Sequence, residues 1–295
     1  MYSWLLLAAL TIADLHPVAT IVTGGTPDWM TISPDSVWIA NDAIRSVQRV
    51  DARTNRLAAR IPVNGEPCSG LAYAFGSLWS PVCGNHPSLD RIDPRTNTVS
   101  SVLPIHPQNS EGGITAGDDS IWLATGDGAL SRIDPGTGQV RQRIAVPSGS
   151  FNPLCANGIV WLTSGEHDEL LAIDAHSGKV LARVHVGSKP RFLTASGGFV
   201  WTLNQGDGTI TKVDVANKRV VATIDAHIPG YGGEIAYGNG SIWATLIKTP
   251  LTRIDAQTNA VLGQWYGVGG DAVRFGLGSV WLTDYHHGRM WRITF

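Results

Sequence analysis

Short apolar runs alternate with turns rich in glycine, proline and aspartate along the whole chain. Segment 193–224 shows the pattern, with apolar runs at 193–195, 199–203, 209–214 and 219–224. Runs of four to eight residues bounded by turn signals are typical of β-strands. We therefore predict four antiparallel strands in this segment, named a, b, c and d in chain order.

A tryptophan recurs in the second run of seven such segments, at spacings of 41, 43, 39, 40, 42 and 38 residues. The seven positions are Trp38, Trp79, Trp122, Trp161, Trp201, Trp243 and Trp281. A fixed period of this length indicates a repeat architecture. Strand b is apolar on both faces, so each sheet is expected to be covered on both sides. The prediction is an all-β, seven-bladed β-propeller with four-stranded antiparallel blades and a tryptophan between adjacent blades.

The seventh repeat has only three strands, at 272–275, 279–283 and 289–293. Segment 17–23, near the N-terminus, has the apolar pattern of a d strand. Pairing this segment with the last blade would remove two exposed sheet edges. We therefore predict that an N-terminal outer strand closes the ring, and that residues 16–295 form a single domain.

The connection between strands c and d begins with an aspartate in six repeats. These residues are Asp51, Asp93, Asp134, Asp174, Asp214 and Asp255. Aspartate accepts hydrogen bonds from backbone N–H groups in turns, and Asn or Gly then takes the left-handed position. We therefore interpret these carboxylates as turn-forming and not as catalytic.

Charge and the N-terminal residues limit the environment of the chain. The formal net charge is −2 and no block of like charge occurs, so neither nucleic acid nor an anionic membrane is an expected partner. The apolar run 4–13 is too short to span a bilayer and predicts a signal peptide at 1–15, hence a secreted or periplasmic protein without an integral membrane segment. Residues 1–3 lack the usual Lys or Arg, and a buried N-terminal segment is the alternative.

Two of the three cysteines flank one predicted hairpin. Cys68 precedes strand a and Cys83 ends strand b of the second repeat. Positions opposite each other across a hairpin are close enough for a disulfide, and an exported protein permits one. We predict a Cys68–Cys83 disulfide, with Cys155 left as a buried thiol on an inner strand.

The two rims of the propeller differ in composition. One rim, the turn face, carries the short a–b and c–d turns. The other, the crossover face, carries the variable b–c loops and d–a crossovers, where function on a rigid scaffold usually lies. The ligand-binding candidates on the crossover face are Asp28, Trp29, Arg191, Phe192, Tyr231, Glu234, Asp271 and Tyr285.

This mixture of carboxylates and aromatic rings suits a small polar organic ligand, and several oxygens also suit a divalent ion such as Mg²⁺ or Ca²⁺. Glu234, Asp271, His286 and His167 are the catalytic candidates. A carboxylate beside an imidazole is the pairing that a general base requires. At most one of His286 and His287 is expected to face the channel mouth, since neighbours on a strand point to opposite faces. The alternative interpretation is a hydrated polar rim.

The repeat sequence FVWTLNQGDGTITKVDVANKRVVATI at 199–224 resembles the YVTN-type propeller repeats of bacterial secreted proteins and, more loosely, the streptogramin (virginiamycin B) lyases. The lyase resemblance implies a catalytic histidine after a proline in late crossovers, nearby glutamates and a magnesium ion. The matching positions here are Pro190-Arg191, Gly233-Glu234 and Gly270-Asp271. None is a histidine, which argues against the same reaction.

Three functions follow as hypotheses. The leading one is an exported propeller that binds a small polar ligand or a protein partner at the mouth of its channel. The second is a lyase or hydrolase that uses acidic residues and a divalent metal. The third is a structural surface repeat, because a fold by itself does not fix activity.

Overall fold

The computed structural model describes residues 10–68, 70–108, 113–228, 230, 232–246, 249–267 and 269–295. These residues form seven antiparallel sheets arranged in a ring, as predicted. Each sheet has the order a, b, c, d from the channel outward. Among the described residues, no helix has the length and apolar character needed to cross a membrane.

The first four blades follow each other along the chain. Blade 1 consists of Pro27–Ile32, Ser36–Asn41, Ser46–Asp51 and Arg56–Pro62. Blade 2 consists of Ala72–Ala74, Ser77–Cys83, Ser88–Asp93 and Thr98–Leu103, with the short strand Glu66–Pro67 also paired to Ser77–Cys83. Blade 3 consists of Ile114–Gly117, Ser120–Thr125, Ala129–Ile133 and Val140–Ala145. Blade 4 consists of Ser150–Ala156, Ile159–Ser164, Glu169–Asp174 and Val180–His185.

The last three blades include the closure of the ring. Blade 5 consists of Pro190–Ser196, Phe199–Asn204, Thr209–Asp214 and Arg219–Asp225. Blade 6 consists of Ile235–Gly238, Ser241–Leu246, Thr249–Asp255 and Val261–Tyr266, with Leu10–Thr11 added in parallel at its outer edge. Blade 7 consists of Val273–Gly276, Ser279–Asp284, Arg289–Ile293 and the N-terminal Ala19–Val22. Two short 3₁₀ helices cover Ile12–Leu15 and Tyr285–His287.

The predicted ring closure is confirmed by the register of the N-terminal strand. Ala19 pairs with Arg292 and Val22 pairs with Arg289, in an antiparallel ladder. Ile21 and Met290 are both buried where these two strands meet. The N-terminal strand therefore covers the edge of Arg289–Ile293, so that this strand of the last blade has no exposed edge.

The seven repeated tryptophans are fully buried. In six blades a Lys or Arg on strand c covers the indole, as Arg49 does at 5.2 Å from the Trp38 ring centroid. Four of these cations also donate to the c–d turn of the following blade. One of the four is Arg292, which links blade 7 to the Ala52 carbonyl of blade 1 at 2.6 Å. Blade 4 has Ala172 at this position. A cation over an aromatic face is attractive, so the repeat stabilises the contacts between blades.

The c–d aspartates form the expected turns. Asp134 accepts hydrogen bonds from the N–H groups of Gly136 at 2.7 Å and Thr137 at 2.9 Å. These bonds, together with Arg141, lower the pKa of Asp134 to about 2. The left-handed position is Asn or Gly in five turns and Lys218 in blade 5. The structural interpretation of these carboxylates therefore agrees with their contacts.

The Cys68–Cys83 disulfide is present, with the two Cα atoms 5.7 Å apart. The third cysteine differs in part from the expectation. Cys155 does lie on an inner strand, but it is half-buried and its thiol donates to Asp118 Oδ2 at 3.0 Å. Burial and this carboxylate raise the pKa of the Cys155 thiol well above its ordinary value.

Candidate functional site

Three blades begin with a β-bulge at the crossover face. The register of strand a shifts between Pro27 and Met30, between Ser150 and Pro153, and between Pro190 and Phe192. A bulge leaves extra residues outside the regular ladder and turns their side chains into new directions. The bulged residues are Asp28 with Trp29, Phe151 with Asn152, and Arg191, so several candidate residues owe their orientation to an irregular strand.

The bulge in blade 1 brings Asp28 against Asp271 of blade 7, and the two carboxyl groups are in hydrogen-bonding contact. One of the two must carry a proton for such a contact, because two carboxylates have no donor. Burial and the negative charges of Asp271 and Asp42 raise the pKa of Asp28 well above its ordinary value. The two carboxyl groups therefore share a proton.

Asp42 extends this group from the b–c loop of blade 1. Its Oδ1 atom is buried and has no hydrogen-bond partner among the described residues. Burial and the charges of Glu66 and Asp271 raise the pKa of Asp42 to about 7. No Lys or Arg in the described part of the chain forms an ion pair with Asp28, Asp42 or Asp271. We name Asp28, Asp42 and Asp271 the acidic triad.

Backbone geometry holds Asp271 in this position. Its Oδ1 atom accepts a hydrogen bond from the N–H of Gly233 at 2.8 Å. Gly233 has a φ of +80°, and a Cβ there would lie 1.9 Å from the Thr245 carbonyl oxygen. Only glycine fits such a close approach without strain. The blade 6 crossover thus orients a carboxylate of blade 7.

Tyr285 borders the acidic triad from the b–c loop of blade 7. Burial, followed by the charges of Asp42 and Asp28, raises the pKa of its phenol, while a hydrogen bond with Thr26 acts in the opposite direction. His286 beside it is exposed, and its ring meets that of Tyr285 edge to face at 5.3 Å. His287 is also exposed and bonds Asp284 Oδ1 at 2.8 Å.

Glu234 is close to the acidic triad but has its own counterion. Arg274 of blade 7 donates to Glu234 Oε2 through one nitrogen and to Oε1 at 2.5 Å through the other. The N–H of Val273 also donates to Oε2 at 3.2 Å. Burial nevertheless raises the pKa of Glu234 to about 7, against the opposing effect of Arg274. Both carboxylate oxygens are therefore engaged within the protein.

A magnesium ion, as the lyase resemblance implies, does not fit these residues. The described residues contain no group of three or more His, Cys, Asp or Glu side chains arranged to hold a metal ion. Glu234 is occupied by Arg274 and one oxygen of Asp271 by Gly233. Mg²⁺ needs near-octahedral oxygen ligands that are free to bind it. We derive no chemistry through a metal here.

Trp29 and Phe192 close the channel below the acidic triad. Their ring centroids are 5.8 Å apart, and the two residues are only 5% and 4% exposed. The space left beside them is about 60 Å³. Gly70 and Gly113 occupy the matching positions in blades 2 and 3, two residues before the partner of the repeated tryptophan, and a Cβ at Gly70 would lie 3.8 Å from the Trp29 ring. Trp29 and Phe192 therefore form a buried aromatic pair between the two mouths of the channel, which we name the aromatic plug.

The remaining candidates lie elsewhere or outside the described residues. Arg191 of blade 5 covers the Phe151 ring with its guanidinium carbon 4.0 Å from the ring centroid. His167 belongs to the blade 4 loop, is exposed, and bonds Ser164 Oγ at 3.0 Å. Tyr231 lies outside the described residues. The structure thus gathers Asp28, Asp271, Glu234 and Tyr285, while His167 and Arg191 have other neighbours.

A cavity of about 300 Å³ opens beside Glu66 on the crossover face. It lies between the loops of blades 1 and 2 and is bordered by Arg45, Asn64, Cys83 and His86. Glu66 also acts on Asp42 through its charge. Through Glu66 the acidic triad is therefore near this space, although none of its three residues lines the cavity.

Two residues of this site were absent from the predicted set. Asp42 directly follows strand b, in a loop that the sequence already assigned to the crossover face. Arg274 pairs with Trp281 on strand a, where the other six blades have Thr, Ala or Leu. A single charged residue at a position that is otherwise small or apolar was the signal that could have identified it.

Searches for relatives add no identity to this geometry. A search against protein-family models gives no match to the chain, and a search of curated proteins gives no significant match. The function is therefore argued from the geometry of the site.

Proposed function

We propose that this propeller binds a small polar ligand carrying a positively charged group at the crossover-face mouth of its channel. The observation that carries this proposal is the acidic triad, in which three carboxyl groups of two blades lie together without a cationic partner among the described residues. Burying like charges together is unfavourable, and a ligand cation would offset that cost. A primary amine also donates hydrogen bonds to carboxylate oxygens such as Asp42 Oδ1.

The surroundings of the triad support a small ligand over a large partner. The cavity beside Glu66 is about 300 Å³, which is at the lower end of ligand pockets, ~300–1,000 Å³. The Tyr285 ring adds an aromatic surface at the same mouth, and aromatic faces attract cations. The aromatic plug closes the channel behind the triad, so the ligand would approach from the crossover face only.

The protein is proposed to be exported. The Cys68–Cys83 disulfide supports this proposal, because disulfides persist mainly in oxidising compartments. The signal peptide at 1–15 remains a prediction of the sequence.

Thermal shift and calorimetry with putrescine and choline as probes test the proposed function. We expect saturable stabilisation at pH 8 that weakens at pH 5.5, because a cation binds the ionised form of Asp42, whose pKa is about 7. The Asp42→Asn variant should lose most of this response. Asp127→Asn is the control, since Asp127 lies in a loop of blade 3, is exposed and is paired with Arg143.

Two results would contradict the proposal. One is the absence of any response to the amine probes. The other is an equal loss of response in Asp42→Asn and Asp127→Asn, which would show only a general effect of surface charge. Stabilisation by MgCl₂ or CaCl₂ without stabilisation by the amines would instead favour the metal hypothesis.

A further inference from the structure

The turn-face mouth of the channel is a separate cavity of about 360 Å³. Trp29 and Phe192 do not line it; they border a smaller space of about 60 Å³, which shares Arg274 with its wall. Its volume is within the range of small-molecule sites, ~300–1,000 Å³. The cavity lies on the face that the sequence assigned to backbone turns alone.

The walls of this cavity come from equivalent positions of the seven inner strands. The residue that pairs with the repeated tryptophan is Thr31, Thr115 and Thr194 in blades 1, 3 and 5, and Arg274 in blade 7. The next residue toward the turns is Tyr73, Tyr237 and Phe275 in blades 2, 6 and 7. Along the channel, the position that pairs with the tryptophan therefore carries hydroxyl groups, and the next position toward the turns carries aromatic rings. We call the second position the aromatic level.

The aromatic level is open where Tyr237 lies. Tyr237 is 38% exposed, although it belongs to an inner strand. Phe275 in the next blade fits over Gly238, where a Cβ would lie 2.0 Å from the ring. Exposed aromatic rings that are held rigidly in a concave site are typical of ligand contacts.

Four hydroxyl groups of the cavity lack protein partners. Within the described part of the chain, the hydroxyl groups of Tyr73, Tyr237, Thr31 and Thr194 form no hydrogen bond to another protein group. Each hydroxyl both donates and accepts. A ligand that satisfies them must therefore present several hydrogen-bonding groups, and hydroxyl groups can serve as both donor and acceptor.

The charge of the cavity is balanced. Arg274 is the one charged residue among the described residues that line it, and its guanidinium is paired with Glu234 through two nitrogens. A paired guanidinium has little excess charge to attract an anion. The lining therefore favours a neutral ligand over an acidic or basic one.

We propose that the turn-face cavity binds a neutral saccharide of one or two pyranose rings. One face of the sugar would stack on the rings of Tyr237 and Phe275, because the C–H groups of a pyranose carry a slight positive charge that suits the negative face of an aromatic ring. Its hydroxyl groups would bond the hydroxyls of Thr31, Thr194 and Tyr73. This cavity is distinct from the amine site proposed above, since none of the three residues of the acidic triad lines it.

Saturation-transfer NMR and calorimetry with maltose, cellobiose and lactose test the proposal on the full chain. We expect at least one disaccharide to bind saturably, and Tyr237→Ala to weaken that binding about tenfold, the loss of one ring contact. Tyr237→Phe should retain most of the affinity. Phe75→Ala is the matched control, because Phe75 is an exposed aromatic residue of the same face that does not line the cavity.

Other variants keep the test decisive. Thr194→Val removes a hydroxyl at nearly constant volume and should also weaken binding, whether or not Tyr237→Ala folds. Asp42→Asn should leave saccharide binding unchanged, which separates this site from the amine site. Failure of all three disaccharides to bind, equal binding by wild type and Tyr237→Ala, or tighter binding of glucuronate than of the neutral sugars would each overturn the proposal.

Discussion

Asp134 on the turn face and Asp42 on the crossover face each directly follow a buried strand, yet their carboxyl groups differ widely in acidity. The pKa of Asp134 falls to about 2, whereas the pKa of Asp42 rises to about 7. Asp134 is surrounded by donors, namely two backbone N–H groups and Arg141. Asp42 is half-buried beside Glu66 and Asp271, and its buried Oδ1 atom has no described partner.

This difference separates carboxylates that build the fold from carboxylates available for binding. A donor-rich turn stabilises the ionised form of the aspartate, so a ligand cation has no unfavourable charge to offset there. A buried group of acids stores an unfavourable interaction that a cation can relieve. The crossover mouth is therefore the face where a bound cation is expected, even though aspartate is more frequent among the turns.

The largest expected effect concerns the crossover-face carboxylate that does have a cation. Arg274→Ala should lower the free energy of unfolding at pH 8 by about 3–5 kcal/mol, because it leaves the charge of Glu234 buried without a partner. The loss should be smaller at pH 5, where Glu234 takes up a proton. Chemical denaturation at both pH values measures this. An unchanged stability would mean that Glu234 is solvated, and Arg274→Ala combined with Glu234→Leu should recover part of the loss.

The next effect concerns the covalent link beside the crossover mouth. The double variant Cys68→Ser/Cys83→Ser should lower the free energy of unfolding by about 3 kcal/mol, as expected for a loop closed by cysteines 15 residues apart. Urea denaturation measures the change. Cys155→Ser is the control and should have a much smaller effect. Equal effects of the two variants would argue against a disulfide in the folded protein.

A smaller effect is expected from the acidic triad itself. A carboxyl whose pKa is raised in the folded state contributes stability that is full below its ordinary pKa and is lost as the pH rises through the folded value. Stability should therefore fall between about pH 4 and pH 7, the values for unfolded and folded Asp42. Asp42→Asn should stabilise the protein at pH 8 by about 1–2 kcal/mol, because Asp42 is only half-buried. Differential scanning calorimetry across this range checks the sign, and a triad that is fully hydrated would show no such slope.

The smallest effect belongs to the turn face and has the opposite sign. The pKa of Asp134 is lowered in the folded state, so its contribution is present above its ordinary value and is lost as the pH falls through about 2. Asp134→Asn should slightly lower the melting temperature at pH 7 and have less effect in strong acid. A stabilising effect of Asp134→Asn at pH 7 would remove the contrast with Asp42.

Local signals were sufficient for the blades and their turns. Each tryptophan of the repeat marks strand b, and each c–d aspartate marks a turn, because both depend on residues within a few positions of one another. Segment 17–23 was identifiable as the closing strand since its apolar pattern matched an incomplete blade. The Cys68–Cys83 pair followed from the same hairpin geometry.

The candidate site was less accessible to such reasoning. The crossover-face location of Asp28, Glu234, Asp271 and Tyr285 followed from assigning loops to rims. Their contacts could not be predicted in this way, because Asp28 and Asp271 lie at opposite ends of the chain. Arg274 and Asp42 were missed for the same reason, since the partner of each is set by the neighbouring blade.

The sequence by itself determined a seven-fold repeat, its four-stranded unit, its turns and the strand that closes the ring, because hydrophobic period and turn chemistry are local properties. Only the tertiary structure decided which carboxylates share a space, which one has a counterion, and that Trp29 and Phe192 close the channel. Those outcomes depend on bulges in the inner strands and on distances between blades. Burial and charge act through such distances, and a linear pattern does not contain them.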